Sequence, residues 1–191
     1  MFFRARPFTA DNFRGTVVIW LAASQPRQES LMAAPPAGTT PQAIALTFSD
    51  LFGRGVTAKP GKPIPFAKPP PLVVGVFERK TGLAALVVCD LAFAAAAGSA
   101  LSLLPPSAVA ECLRAGKLTD TLLENLREVL NVCAHFVAQG SGERISLVAV
   151  HSVPPALPAP IAGLAAKPAS RLDVELTIAG YSPGQFCLLR S

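Results

Sequence analysis

"LLENLREVLNVCAHF", residues 122–136, decides the fold. Its apolar residues recur at the spacing of one helical stripe, and its polar residues fall between them. With a helix set at about 100° per residue, Leu122, Leu126, Val129, Leu130, Cys133, Phe136 and Val137 share one arc, while Glu124, Arg127, Glu128, Asn131 and His135 share the opposite one. Glu128 and Asn131 are three residues apart and project from the same side. The plain reading of that side is a solvated helix face, which is common. Two details point to a working surface. Asparagine is a mediocre helix former, so its use mid-helix costs a little without local return. Lysine, the usual filler of such faces, is absent between Lys117 and Lys167.

The helix predicted at about 118–138 has neighbours on both sides. "PQAIALTFSDLFGRG" (41–55) places Ile44, Phe48, Leu51 and Phe52 at helical spacing, with Gly53 and Gly55 to end it. "LVVGVFER" (72–79) and "GLAALVVCD" (82–90) read as a hairpin of apolar strands about a short turn. "LAFAAAAGSALSLLP" (91–105) and "PSAVAECLRAG" (106–116) read as helices, the second with Ser107 as N-cap and Gly116 as C-cap. After the long helix, which Gly140 and Gly142 end, "RISLVAVHSV" (144–153) is a strand and "PPALPAPIAGLAAKP" (154–168) a Pro/Ala loop. "RLDVELTIAG" and "GQFCLLRS" are two further strands. The proline-laden 59–71 is an extended connector, since proline fixes φ and removes a donor. Two strands precede the central helices and three follow, which predicts an α+β layer fold of about five strands. No tandem sequence repeat is visible.

Composition narrows the classes. Of the formal net charge of +5, all lies in residues 1–71, with eight Lys/Arg against three Asp/Glu; residues 72–191 hold nine of each. A neutral folded part lacks the basic patch of a nucleic-acid surface. Cys89, Cys112, Cys133 and Cys187 form no CxxC pair and read as small buried hydrophobes in a reduced compartment. With only His135 and His151 besides, no zinc spacing exists. There is no P-loop, no strand-linked GxGxxG and no Gly-x-Ser-x-Gly elbow. "RGTVVIWLAAS" (14–24) carries an apolar run of seven residues, far short of the ~20 that span a bilayer. It reads as part of a flexible lead-in, as a weak signal-peptide core, or as sequence upstream of a true start at Met32. Each reading leaves 1–40 as an extension and 41–191 as the domain.

The helix and its surroundings resemble the CheC/CheX/FliY family of chemotaxis phosphatases. The family signature runs Asp or Ser, three residues, Glu, two residues, Asn, twenty-two residues, Pro. Here Glu128 and Asn131 supply Glu-x-x-Asn, and twenty-two residues separate Asn131 from Pro154. Only the second long helix carries the pair, so the arrangement is most like CheX. Two positions depart: Glu124 stands where the signature has Asp or Ser, and His135 where many members have a small residue.

The resemblance implies a cytoplasmic protein phosphatase acting on the phospho-aspartate of a CheY-like receiver. Asn131 and Glu128 would be its catalytic residues, Glu124, Arg127 and His135 its partner-binding residues, and Pro154 a structural member of the motif. It would have no cofactor of its own, the Mg²⁺ being expected in the receiver, and relatives can form homodimers. The alternative is a non-catalytic module of the same fold that binds a receiver or a flagellar-switch component. Glu124 and His135 favour that alternative.

Overall fold

The computed structural model describes residues 39–66, 69–139 and 142–191. Its elements in chain order are α1 (Pro41–Phe52), β1 (Val56–Pro60), β2 (Leu72–Arg79), β3 (Gly82–Asp90), α2 (Leu91–Leu101), α3 (Pro106–Ala115), α4 (Asp120–Ala138), β4 (Ser146–Val153), α5 (Ala159–Ala166), β5 (Ser170–Ile178) and β6 (Gly184–Arg190). Among the described residues the strands form one six-stranded sheet, ordered β1-β5-β6-β3-β2-β4, and every neighbouring pair is antiparallel. The expected α+β layer fold is therefore the one found.

The sheet order hides an internal symmetry. Exchanging β1 with β4, β2 with β5 and β3 with β6 reverses the order and leaves it unchanged. Each half is a helix followed by three strands, α1-β1-β2-β3 and α4-β4-β5-β6, with α2 and α3 as the link and α5 inserted in the second half. The central seam is the β3–β6 ladder, with Val87 opposite Leu188. α1 and α4 are thus equivalent elements of the two halves, which no tandem sequence repeat discloses.

Both faces of the sheet are covered, and this explains the near-continuous apolar strands. On β3, Ala85, Val87 and Cys89 pack with residues of α1, α2 and α4, while Leu86 and Val88 join Ile64, Ile161 and Ala165 on the other side. The helical side has an aromatic hub. The Phe48 ring lies 5.7 Å from those of Phe52, Phe93 and Phe136 and 5.8 Å from that of Phe186. It joins α1, α2, α4 and β6 in one contact set.

Several boundaries differ from those read in the sequence. The described residues hold six strands, not five, because β1 occupies an edge just after α1. Its Lys59 and Pro60 conceal it, yet an edge strand tolerates both. α1 stops at Phe52, and of the two glycines read as ending it Gly53 is the cap, at φ 60°. Residues 159–166, expected as loop, form α5, since proline is tolerated in a first helical turn. α3 is capped by Pro105 rather than Ser107, with no side-chain hydrogen bond. α4 starts at Asp120, where the Thr119 hydroxyl accepts from the Leu122 N–H at 3.3 Å. The expected stop at Gly140 and most of the expected 1–40 extension lie outside the described residues. Thr39 and Thr40 belong to the fold. Thr39 Oγ1 donates to the Phe136 carbonyl at 2.9 Å, and Thr40 caps α1. No helix among the described residues is long and apolar enough to cross a membrane.

α2 meets α4 at Gly98. A Cβ built there would sit 2.7 Å from the Leu122 carbonyl oxygen, so the two backbones touch. Gly98→Ala gains up to about 1 kcal/mol of helix propensity but forces a backbone shift that costs about 1–3 kcal/mol. Net destabilisation in urea denaturation is the expected result.

Asp90 gives a second expectation. Its Oδ1 accepts from the Phe93 N–H at 2.7 Å and caps α2. Burial raises its carboxyl pKa, and Glu175 adds to the rise, against the backbone N–H groups of Phe93, Gln185 and Ala92 that lower it. A raised folded value means that the favourable contribution is complete below the unfolded pKa and lost as pH rises through the folded one. At neutral pH Asp90→Asn should keep the cap and match or exceed the native melting temperature. Asp90→Ala should lose about 1 kcal/mol.

Candidate functional site

α4 is a helix with a clean division of labour. Leu122, Leu126, Val129, Leu130, Cys133, Phe136 and Val137 are buried against the sheet and its neighbouring helices. Glu124, Glu128, Asn131 and His135 are exposed, and Arg127 is partly so. The wheel drawn from the sequence is thus the arrangement the fold adopts.

On the exposed face, Asn131 Nδ2 donates to Glu128 Oε2 at 3.5 Å. At that length the bond is weak, so the amide and carboxylate stand together while both remain able to engage a partner. One turn earlier, Glu124 Oε2 lies 3.8 Å from Arg127 Nε. Such an exposed pair is screened by water and adds little to stability. His135 is exposed one turn beyond Asn131, with its ring 6.4 Å from that of Phe136. A surface that docks on α4 over Asn131 meets this imidazole as well. Chemically, the face offers one uncommitted carboxylate and one neutral amide. The first suits a cation; the second can orient water beside an anion without repelling it.

Pro154 is not on α4. It is exposed and follows the last residue of β4, where its missing N–H ends the ladder. His151 is half-buried within β4, opposite Val74, and takes a packing position.

The four thiols are buried. Burial pushes those of Cys89, Cys133 and Cys187 up, so they stay protonated at neutral pH and are poor nucleophiles. Among the described residues no group of three or more His, Cys, Asp and Glu could hold a metal ion. On the other face of the sheet, an apolar groove of about 770 Å³ runs between α5 and the 64–66 segment, with Arg171 at its wall. That guanidinium is held by Asp173, with Nε to Oδ2 at 2.7 Å and Nη2 to Oδ1 at 2.9 Å.

One functional candidate escaped the sequence. Asn125, on the same helix, is half-buried and bonds to α2 rather than facing solvent. The only signal for it was a second asparagine beside the apolar arc.

No family model matches the sequence, and no curated protein does. Solved structures match the fold. The FliM of the H. pylori FliM–SpeE complex aligns with a TM-score of 0.54 at 11% identity, over 78% of this chain and 80% of that one. The H. pylori FliM middle domain gives 0.53 at 12% identity, over 78% and 84%. FliY of Thermotoga maritima gives 0.50 at 16% identity, over 78% and 82%. The chain has the fold of the FliM middle domain and FliY. This is the fold that the Glu-x-x-Asn…Pro resemblance implied.

Because Glu128 and Asn131 are exposed and weakly bonded, Glu128→Ala and Asn131→Ala should each stay within about 0.5 kcal/mol of native stability. Chemical denaturation measures this. A larger loss would show a structural duty on that face.

Proposed function

We propose that the chain is a phosphatase for the phospho-aspartate of a CheY-like receiver, working through the exposed face of α4. The observation that carries this reading is the pairing of Glu128 and Asn131 on that face, with the Asn131 amide 3.5 Å from the Glu128 carboxylate. An acyl phosphate is already activated, so its hydrolysis needs water held in line with the phosphorus and little else from the protein. The Asn131 amide orients that water. The water's oxygen bonds to phosphorus as the bond from phosphorus to the aspartate oxygen breaks; the receiver regains a free carboxylate, and the water's protons leave with inorganic phosphate. Glu128 engages the lysine ammonium of the receiver's active site. Mg²⁺ belongs to the receiver, and the reaction takes place in the cytoplasm. Glu124, Arg127 and His135 ring the pair and contact the receiver's surface.

A second reading is a non-catalytic module that binds a receiver or a flagellar-switch component. Two observations favour it. His135 is exposed one turn from Asn131, where a small residue would allow closer docking. The FliM that aligns with this chain was solved in complex with SpeE, which is a binding role for the fold.

Release of inorganic phosphate from a panel of phosphorylated receivers separates the two. Phosphatase action requires the native chain to accelerate release from at least one receiver, and Asn131→Ala to remove roughly 100-fold or more of that acceleration. Glu128→Ala should weaken receiver binding as well as turnover. Tight receiver binding with no acceleration selects the second reading.

A further inference from the structure

α4 carries two asparagines, and they do different work. Asn131 faces solvent. Asn125, six residues earlier, donates from Nδ2 to the Gly98 carbonyl at 3.2 Å and to the Ser102 hydroxyl. Both acceptors belong to the C-terminal end of α2. The last-turn carbonyls of a helix have no N–H of their own helix to accept. Those of Ser99 and Ala100 are met by the turn itself, through the Leu104 N–H at 2.9 Å and the Leu103 N–H at 3.3 Å. For Gly98, a donor from another helix is supplied by Asn125, with Ser102 Oγ at 3.5 Å.

This bond sits beside the closest approach of the two helices. Leu122, whose carbonyl lies where a Gly98 Cβ would be, precedes Asn125 by three residues and shares its side of α4. The buried stripe of α4 is Leu, Val, Cys and Phe, whose packing is non-directional and resists rotation weakly. A backbone contact and a directional hydrogen bond one turn apart do resist it. The magnitude matters for the exposed face. Side-chain tips lie about 5–6 Å from a helix axis, so a rotation of about 10° moves the Asn131 amide by about 1 Å. A displacement of that size can cost about 100-fold in rate.

We propose that Asn125 is a positioning residue, which sets the rotation of α4 and thereby where Glu128 and Asn131 point. Its effect on turnover rests on the phosphatase reading above; its effect on geometry does not.

The test compares the full native chain with Asn125→Asp, Asn125→Ala and Ser102→Ala. Asn125→Asp keeps the shape of the side chain but loses the donor. Ser102→Ala removes one exposed acceptor and keeps the fold if the others do not. In ¹H–¹⁵N spectra, the Asn131 side-chain amide and the backbone amides of 128–135 should shift in both Asn125 variants, and less in Ser102→Ala. With an accepted receiver, kcat should fall tenfold or more in both Asn125 variants, with receiver affinity weakened by less than in Glu128→Ala. Shifts confined to the neighbours of residues 98, 102 and 122, with kcat unchanged, would overturn the proposal. If the native chain releases phosphate from no receiver, the phosphatase reading fails, and the spectra still decide whether Asn125 positions the face.

Discussion

The contact of α4 with α2 at Gly98 is the constraint on which the rest depends. A long amphipathic helix must bury its apolar stripe somewhere, and here it does so over the sheet beside α2. Backbone contact at Gly98 lets Leu122, Leu126 and Leu130 reach the core, where each is at most 2% exposed. Phe136, further along the same stripe, closes on Phe48 from α1. What remains on the far side of α4 is then fixed by geometry. It is the line of Glu124, Glu128, Asn131 and His135.

The end of α4 is held as firmly as its middle. Arg190 Nη2 donates to the Phe136 carbonyl at 2.9 Å and to Thr39 Oγ1 at 2.6 Å. A cation at a helix C-terminus is favourable, and burial lowers the pKa of this one without neutralising it at physiological pH. The last strand of the chain and the first described residue therefore both tie onto the helix that carries the candidate site. Within the two-fold arrangement, α1 is the equivalent helix. Its exposed positions include Gln42, Leu46 and Asp50, and it lacks the Glu–Asn pair. The two halves share an architecture but present different surfaces.

Much of this was legible in the sequence, for identifiable reasons. A helix with seven apolar residues on one arc turns that arc to the core, so the exposure of Glu128 and Asn131 followed from periodicity, although their exact direction did not. The β2–β3 hairpin was readable because two apolar runs flank Lys80-Thr81. β1 was not, because the alternation of Val56 to Lys59 is too short to stand out before the proline-rich connector; pairing with β5 makes it a strand. α5 was masked by prolines that a first helical turn accepts. Asn125 could not be told from surface, because its partner is the end of another helix and only the packed structure brings Gly98 to it. The internal symmetry was equally out of reach, since it lies in strand order and not in repeated residues.

Charge and chemistry point the same way at the exposed face. A neutral amide beside a carboxylate suits an anionic group flanked by a cation, and the chain's buried thiols supply no competing nucleophile. The most direct measurement is the structure of the full chain bound to a receiver whose aspartate carries beryllofluoride in place of the phosphoryl group. The expected result has α4 lying across the phosphorylation site, Glu128 against the receiver's lysine, and the Asn131 amide within hydrogen-bond reach of a water in line with the beryllium. A receiver bound elsewhere on the molecule, or α4 present but Asn131 turned away from the aspartate, would contradict it.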